Sequence, residues 1–321
     1  MSSSLTIQAF RMGSVDFVVR DVDFLPASIR IPAKRYRRLT RPPEVDSQDW
    51  KKRRTLFSKF DDGIRMDPES WFEVTPENVA IYIASRVTSK DIVIDGCCGI
   101  GGNSLQFAKA VGRVIAVDSS ERRIEMAKRN AFIYKVHSGI EFVCEDVVAF
   151  LSGMSKLERA CFYISPPWGG KTCYEAELMS IDDLPIRLSP VINLALEKMG
   201  SVILHLPRNT DLRDLADTVY ACGLNYFEVD AVYYTHPTRH LKFYIVYIDK
   251  CSAYPDSLFS KARDTARASI SPFLGSGRVQ QILALSYLNL TYLGRFVSEA
   301  LRRDGQEGVS LLPLTQTLID S

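Results

Sequence analysis

The stretch Asp91-Ile-Val-Ile-Asp-Gly-Cys-Cys-Gly-Ile-Gly-Gly-Asn103 is a short apolar run that leads into a glycine-rich turn. The apolar residues predict a buried strand, and the residues from Gly101 to Val111 predict the helix that follows it. Glycines at such a turn allow positive φ and let a ligand approach the backbone closely. The stretch is therefore typical of an α/β ligand-binding fold, although a tight turn without a ligand would give the same pattern.

Apolar runs and helical patterns alternate from this turn to about residue 249. Buried runs separated by helices predict a mainly parallel sheet with helices on both faces, and two final runs without an intervening helix predict an antiparallel hairpin. We therefore expect a Rossmann-like α/β fold whose seven-stranded sheet has an antiparallel edge. This arrangement is typical of class I S-adenosylmethionine-dependent methyltransferases rather than dehydrogenases. The predicted strands are 91–95, 113–118, 139–144, 160–165, 201–206, 227–235 and 242–249.

The composition divides the chain into four segments. Prolines predict an irregular, basic region over residues 1–47, and residues 48–90 predict a helical extension that closes the active site. Within that extension Thr75-Pro76-Glu77 is a helix-start signal in which Thr75 would be the N-cap. Residues 91–250 are the predicted methyltransferase core. Residues 251–321 are predicted to be a helical segment that could bind a protein partner.

Three carboxylates follow three successive predicted strands, at the edge where open α/β sheets bind ligands. Asp95 precedes the glycine-rich turn, where a carboxylate suits an ammonium group, such as the methionine end of S-adenosylmethionine, better than a pyrophosphate. Asp118 could accept hydrogen bonds from ribose hydroxyls or merely cap the next helix. Asp146 could accept one from the adenine amino group. With Gly99 and Asn103 of the turn, these residues form the predicted cofactor site.

The fourth predicted strand ends in Ser165-Pro166-Pro167-Trp168, a variant of the Asn/Asp/Ser-Pro-Pro-aromatic motif of amine-directed methyltransferases. The prolines hold the backbone extended and lack N–H groups, so the segment is rich in hydrogen-bond acceptors. Ser165 Oγ and the Pro166 carbonyl could hold the two protons of an exocyclic amine and orient its lone pair. Trp168 offers a flat surface for a base, with ~0.5–2 kcal/mol of cation–π attraction if the base is positive. A Pro-Pro turn with a buried Trp is the alternative.

Composition and charge narrow the function classes. Charged residues make up 24% of the 321 residues and the net charge is +2. No apolar run reaches the length of a membrane span, and the four histidines and seven cysteines lack metal-ligand spacing, so we expect neither a membrane segment nor a metal. Two basic runs favour a phosphate-rich partner or nuclear import, although solvated faces would look the same. The runs are Lys34, Arg35, Arg37, Arg38 and Arg41, and then Lys51, Lys52, Arg53 and Arg54.

Five segments resemble the trimethylguanosine synthase family of RNA cap methyltransferases. The resemblance spans about residues 48–249, and its segments follow one another in the family's order. They are Leu56–Gly63 (L-F-S-K-F-D-D-G), Trp71–Glu77 (W-F-E-V-T-P-E), Asp95–Asn103, Ser165–Gly170 (S-P-P-W-G-G) and Leu206–Asn209 (L-P-R-N).

The resemblance implies N2 methylation of 7-methylguanosine at RNA 5′ ends, which gives the 2,2,7-trimethylguanosine cap, with S-adenosyl-L-methionine as the methyl donor. The implied partner is a capped RNA of the small nuclear, nucleolar or another class. The implied location is the nucleus or the nucleolus, with the cytoplasm as an alternative. Trp168 would stack on the cationic 7-methylguanine, while Ser165 and Pro166 would orient its N2 amine.

The same resemblance implies further contacts. Arg208 and Asn130 would contact the cap, and Phe57 would help to close the cap pocket. Thr75 would touch the methionine end of the cofactor and Asp118 its ribose.

The chain departs from the family's pattern at several positions. Gly96 and Cys97 stand where the family has Ala and an aromatic residue, which puts the packing of the cofactor pocket in question. Glu73 replaces a serine. Gln48 stands where a cap-contacting lysine is expected, a role that Lys51 or Lys52 could take.

Two other functions are compatible with these motifs. An amine methyltransferase acting on internal bases of rRNA, tRNA or DNA would share the Pro-Pro-aromatic segment. A non-catalytic cap- or RNA-binding protein could keep the fold, but the retained Asp95 and Asp118 disfavour it. The sequence leaves open the RNA class, the number of methyl groups added and the oligomeric state.

Overall fold

The computed structural model describes residues 7–24, 40–170, 173, 175–235 and 238–250. These residues fall into two compact units, of which the larger contains all of those from residue 14 onwards. Described residues 8–13, which include all of strand β1 (Ile7–Met12) except Ile7, belong to the second unit. The segment 251–321, predicted to be helical, lies outside the described residues, and the segment boundaries at residues 47, 90 and 250 stay predictions.

The larger unit is built on eight strands in the order β2-β8-β9-β7-β6-β3-β4-β5. Only β9 runs antiparallel to its neighbours in this unit, so the sheet is mainly parallel. Every residue of β3, β6 and β7 is buried because helices cover both faces. The strands are β2 (Val15–Phe24), β3 (Ile92–Gly96), β4 (Val114–Asp118), β5 (Ile140–Cys144), β6 (Ala160–Ile164), β7 (Ser201–Pro207), β8 (Tyr226–Tyr234) and β9 (His240–Asp249).

Eight α-helices accompany these strands in the described residues. They are α1 (Ser47–Leu56), α2 (Ser70–Glu73), α3 (Glu77–Ser85), α4 (Gly102–Val111), α5 (Glu121–Tyr134), α6 (Val147–Gly153), α7 (Leu188–Met199) and α8 (Leu212–Ala221). From β3 onwards their order along the chain matches the predicted alternation, and the predicted α/β class is confirmed. The helix predicted from residue 184 begins later, at Leu188.

Two expectations for the first 47 residues are wrong. Ile7–Met12 and Val15–Phe24 are strands rather than irregular chain, and β2 brings the sheet of the larger unit to eight strands instead of seven. The sequence of β2 concealed its burial because it carries Arg20 and three aspartates. Arg20 donates to Asp230 (2.8 Å) and Glu228 on the neighbouring β8, so its charge is neutralised within the sheet. Residues 1–6 and 25–39 lie outside the described part.

Buried Asp230 also ties the helical extension to the sheet. Its second carboxylate oxygen accepts a hydrogen bond from the Tyr82 hydroxyl of α3 at 2.8 Å, and its exposed fraction is zero. Arg86, at the end of the same helix, donates to Glu228 at 2.6 Å. The extension, strand β2 and strand β8 therefore share one set of ion pairs, and each carboxylate has a cationic or hydroxyl partner.

Glu77 is a second buried carboxylate that fixes the extension. It accepts hydrogen bonds from the Ser58 main-chain N–H, the Tyr134 hydroxyl (3.0 Å) and the Gln106 amide (3.3 Å), and Lys109 Nζ lies 3.9 Å away. One side chain at the start of α3 thus joins the loop after α1 to helices α4 and α5. This loop carries Phe57, so Glu77 helps to set the position of that ring.

We expect Glu77→Ala to lower the free energy of unfolding by about 3 kcal/mol, because it leaves buried donors without their acceptor and removes the negative charge beside the Lys109 ammonium. Glu77→Gln keeps an acceptor oxygen and should cost less. The measurement is urea denaturation followed by circular dichroism. Glu125→Ala, which removes an exposed acid from an α5 surface pair, is the matched control and should change stability by under about 0.5 kcal/mol. Equal effects of the two alanine variants would contradict this role.

Candidate active site

The carboxyl ends of four neighbouring strands meet at one edge of the sheet. Gly96 of β3 lies opposite Val117 of β4 and Ile164 of β6, and Ile164 lies opposite Leu204 of β7. The residues that follow these strands are the glycine-rich turn, Asp118, the Ser165 segment and the Arg208 segment. The register therefore brings the predicted cofactor residues, the Ser165 segment and the Arg208 segment to the edge where open α/β sheets bind ligands.

The turn after β3 takes backbone conformations that favour glycine. Gly99 and Gly101 have φ values of 55° and 89°, and Cys97 adopts φ 62° without being glycine. A Cβ added at Gly96 would lie 2.8 Å from the Phe162 ring, so glycine fits where the resembling family has alanine. Close packing of Gly96 against Phe162 and left-handed backbone conformations at Cys97, Gly99 and Gly101 therefore determine the shape of the turn.

Asp118 supports this turn directly. Its carboxylate accepts hydrogen bonds from the Gly99 N–H (2.8 Å) and the Ser120 N–H (2.9 Å). The N-cap of α5 is Ser120, whose hydroxyl accepts from the Arg123 N–H, so Asp118 is not simply a helix cap. Each carboxylate oxygen has a further lone pair, so the predicted contact with ribose hydroxyls is chemically possible and stays a prediction.

Asp95 and Asn103 are buried polar residues on either side of the glycine-rich turn. Asp95 is buried and accepts a hydrogen bond from the Ser104 hydroxyl, while burial, reinforced by the charge of Asp118, raises its pKa to about 7. Asn103 donates to the Thr75 hydroxyl at 3.0 Å, and its buried Oδ1 has no partner among the described residues. A carboxylate and an unused acceptor suit a ligand that brings an ammonium group.

Thr75 is not the helix cap that the sequence predicts, whereas Asp146 does cap a helix. The N-cap of α3 is Pro76, and the Thr75 hydroxyl instead faces Asn103 and His205. Asp146 is exposed and caps α6, where it accepts from the Val148 N–H (2.9 Å) and another main-chain N–H. Thr75 is therefore well placed for the cofactor, whereas a contact between Asp146 and adenine is not tested by these bonds.

The Ser165-Pro166-Pro167-Trp168 segment follows β6 directly and is partly accessible. Pro166 is buried, whereas Ser165 and Trp168 are half-buried. The Trp168 indole N–H donates to the His205 carbonyl at 3.3 Å, and its ring meets the His205 imidazole edge-on at 5.4 Å. Phe243 packs against the same imidazole at 4.3 Å. Aromatic packing thus fixes the orientation of Trp168 before any substrate binds.

His205 and Tyr163 were not predicted as part of the site. Both are buried, and the Tyr163 hydroxyl lies 3.2 Å from His205 Nδ1. Burial lowers the pKa of His205 to about 3, so its ring is neutral near physiological pH. Burial also raises the pKa of Tyr163, and hydrogen bonds to Thr75 and Ser165 oppose this rise. His205 lies two residues before Pro207 in an apolar strand, where the sequence looks like ordinary core.

The residues assigned to the cap by resemblance are placed unequally. Asn130 is fully buried. Its side-chain oxygen accepts a hydrogen bond from the Arg65 N–H (2.8 Å), and its side-chain nitrogen donates to the Arg65 carbonyl (3.0 Å) and the Ile100 carbonyl (3.0 Å). This geometry makes Asn130 a support between the extension and the glycine-rich turn. Phe57 is buried against Tyr134, with ring centroids 6.3 Å apart, and it also approaches the start of α4.

Arg208 is exposed directly after β7, on the same edge as Trp168. Burial lowers the pKa of Lys242, and the nearby charges of Lys52 and Arg208 lower it further. Lys242 Nζ also lies 5.2 Å from the centroid of the Tyr234 ring. Lys52, Arg208 and Lys242 come from separate parts of the chain and are close enough to one another to create a local positive potential.

The second basic run is only partly available to a phosphate. Arg53 and Arg54 both donate to Asp61, and Arg53 also lies over the Trp50 ring at 4.6 Å. Lys51 and Lys52 are exposed. Of the first run, residues 34–38 lie outside the described part of the chain.

The described residues contain no group of three or more His, Cys, Asp or Glu side chains that could hold a metal ion. Within the same ranges, no helix is both long and apolar enough to cross a lipid bilayer.

The mainly parallel sheet with its acidic, glycine-rich strand edge defines a class I S-adenosylmethionine-dependent methyltransferase. A solved structure from Porphyromonas gingivalis W83, of a protein proposed to be a methyltransferase, shares this fold with a TM-score of 0.51 and 15% identity. The match covers 64% of this chain and 49% of that one. The family model described as RNA cap guanine-N2 methyltransferase matches residues 90–251, and the chain belongs to this family.

Two curated relatives agree with this assignment. The chain is 37% identical to the trimethylguanosine synthase of Schizosaccharomyces pombe over 181 residues, which cover 54% of this chain and 75% of the relative. It is 35% identical to the trimethylguanosine synthase of Saccharomyces cerevisiae over 176 residues, covering 52% of this chain but only 56% of that relative. The resemblance inferred from the motifs is confirmed at the level of the family, and S-adenosylmethionine is its methyl donor.

The raised pKa of Asp95 predicts a pH dependence of cofactor binding. A ligand ammonium group pairs only with the ionised carboxylate, and below about pH 7 the carboxyl group is increasingly protonated. From about pH 7.5 to about pH 6 we therefore expect the affinity for S-adenosylhomocysteine to fall by up to about 10-fold, measured by calorimetry. Asp95→Asn cannot titrate there and should bind weakly with a flat profile. A flat wild-type profile would remove Asp95 from the ammonium contact.

Proposed function

We propose that this protein methylates N2 of 7-methylguanosine at the 5′ caps of RNA and forms 2,2,7-trimethylguanosine. The observation that carries this proposal is the register of β3 and β6, which sets the predicted methyl-donor turn beside Ser165-Pro166-Pro167-Trp168. Family membership supplies the substrate class, and both similar yeast proteins bear the name trimethylguanosine synthase. Capped RNA is thus the substrate class, while the particular RNA stays part of the proposal.

The cofactor site uses residues from three elements. Asp95 and Asn103 are suited to the ammonium end, Thr75 lies beside them, and Asp118 with Gly99 lies towards the next strand. When bound, S-adenosylmethionine supplies a methyl group already activated on a sulfonium. The protein therefore has to position the acceptor nitrogen more than it has to activate it, so orientation is its main catalytic contribution.

Ser165 and the Pro166 carbonyl provide that orientation. They are the first and second residues after β6, so the buried strand limits their movement. Two acceptors facing an exocyclic amine hold its protons and leave the lone pair pointing away from them. Transfer would form the N–CH3 bond as the bond from that methyl to the sulfonium breaks, with neutral S-adenosylhomocysteine as the leaving group, and the methylated nitrogen would then lose one proton to solvent.

Trp168 supplies selectivity for a positively charged base. Methylation at N7 makes guanine cationic, and an indole face attracts a cation by ~0.5–2 kcal/mol beyond its stacking on a neutral ring. His205 supports this platform from below and is neutral, so it places no positive charge under the base. The positive edge formed by Arg208, Lys52 and Lys242 suits the cap phosphates.

Several features extend the proposal beyond the described site. Asn130 would act indirectly, through Arg65 and the glycine-rich turn, and Phe57 would line the cap pocket from the extension side. A nuclear location, with the nucleolus or cytoplasm as alternatives, is consistent with the basic runs. Binding of a protein partner through residues 251–321 and the adenine contact of Asp146 also stay proposals.

The decisive test supplies the protein with labelled S-adenosylmethionine and either 7-methyl-GTP or GTP. We expect label in 7-methyl-GTP only, because Trp168 favours the cationic ring, and we expect mass analysis to find a product carrying two added methyl groups. An uncapped RNA containing internal guanosines is the control for base-directed activity.

The other outcomes separate the competing functions. Equal labelling of GTP and 7-methyl-GTP would remove the cap assignment. Labelling of the uncapped RNA alone would identify an enzyme that acts on internal bases. Absence of both labelling and S-adenosylmethionine binding would favour a cap- or RNA-binding protein without catalytic activity.

A Trp168→Ala substitution should weaken the binding of one of the two ligands and not of the other. We expect it to weaken 7-methyl-GTP binding by about 10- to 100-fold, because a stacking partner is lost, and to leave S-adenosylhomocysteine binding within about 2-fold. Trp168→Phe keeps a ring at this position and should lose less. Both affinities can be measured by calorimetry. Parallel loss of both ligands by a folded Trp168→Ala protein would show that Trp168 acts structurally.

A further inference from the structure

His205 touches both sides of the active site, although it belongs to neither predicted binding set. Its Nδ1 lies 3.4 Å from the Thr75 hydroxyl and 3.2 Å from the Tyr163 hydroxyl. The Thr75 hydroxyl in turn accepts a hydrogen bond from the Asn103 side-chain amide at 3.0 Å. A continuous polar path therefore runs from the start of α4, through the extension, to an imidazole in the middle of the sheet.

The other contacts of His205 face the base platform. Its ring lies edge-on to Trp168, with centroids 5.4 Å apart, and its carbonyl holds the indole N–H. Phe243 packs against the same imidazole at 4.3 Å and also lies 6.5 Å from the Trp168 ring, so the three rings form one cluster. His205 is only 2% exposed, and a close-packed ring cannot turn without displacing these neighbours.

The hydrogen bonds and the ring contacts of His205 are chemically separable. Nδ1 makes the polar contacts towards Thr75 and Tyr163, whereas Nε2 is buried without a partner among the described residues. The imidazole ring itself packs against the rings of Trp168 and Phe243. Asn103 and Thr75 are therefore connected to the Trp168 ring through a single imidazole.

We propose that His205 is a positioning residue that couples occupation of the cofactor pocket to the placement of Trp168, so that cofactor and cap bind cooperatively. This inference rests on the proposed cap-binding function. It does not make His205 a base, because burial keeps the ring neutral and lowers its affinity for a proton. Coupling between sites is reciprocal, so the cap raises cofactor affinity by the same factor by which the cofactor raises cap affinity.

The test measures the affinity for 7-methyl-GTP by calorimetry with and without saturating S-adenosylhomocysteine. The ratio of the two dissociation constants is the coupling factor, which we expect to be about 5 or more in the wild-type protein. A purely structural role would change melting temperature or both affinities without changing this ratio.

Two substitutions divide the roles of the imidazole. His205→Phe keeps an aromatic ring but removes Nδ1, so the coupling factor should fall to about 1 while 7-methyl-GTP still binds. His205→Asn keeps a polar group near Nδ1 but removes most of the ring, so cap binding should weaken while part of the coupling returns. His137→Phe makes the first substitution at an exposed histidine and should leave the factor unchanged.

A third variant keeps the proposal testable if the buried ring does not tolerate replacement. Thr75→Val preserves shape and removes the hydroxyl that joins Asn103 to His205, so it should also abolish the coupling in a protein whose fold is verified by circular dichroism. A wild-type factor of about 1, or the full wild-type factor in folded His205→Phe or Thr75→Val, would overturn the proposal. Failure of the wild-type protein to bind 7-methyl-GTP at all would instead refute the cap function on which it rests.

Discussion

The parallel pairing of β3 with β4 on one side and β6 on the other is the constraint on which the site depends. Because all three strands point the same way, Asp95, Asp118 and Ser165 reach one edge although long stretches of sequence separate them. A shift of one residue in this register would turn each side chain to the opposite face of the sheet. The complete burial of β3 and β6 opposes such a shift, so the hydrophobic core holds the catalytic geometry.

Three of the carboxylates inside this core are well supplied with partners. Glu77 accepts three hydrogen bonds, Asp230 pairs with Arg20 and Tyr82, and Asp118 accepts two main-chain N–H groups. Asp95 is the less completely paired carboxylate, and its raised pKa reflects the energetic cost of holding a charge there. That cost is consistent with a position reserved for a ligand of opposite charge.

The parts of the structure that were predictable are those with a local signal. The alternation of apolar runs and helical patterns predicted the strands β3 to β9. The Ser165-Pro166-Pro167-Trp168 segment was recognisable because two prolines and an aromatic residue directly follow a predicted strand. The charged strand β2 escaped detection because its partners, Asp230 and Glu228, lie more than 200 positions further along the chain. His205 escaped for a related reason, since a histidine in an apolar strand shows its importance only through the residues that surround it in space.

The region that the family model matches depends on strand β2 and helix α3, which lie outside it. The family match begins at residue 90, but Asp230 within that region is neutralised by Arg20 and Tyr82, which both precede it. A fragment limited to residues 90–251 would keep Asp230 in an apolar sheet without its partners and would leave one edge of β8 unpaired. Buried unpaired charge opposes folding, and an open strand edge invites association between copies. The region that the family model matches is therefore smaller than the region in which Asp230 has its partners.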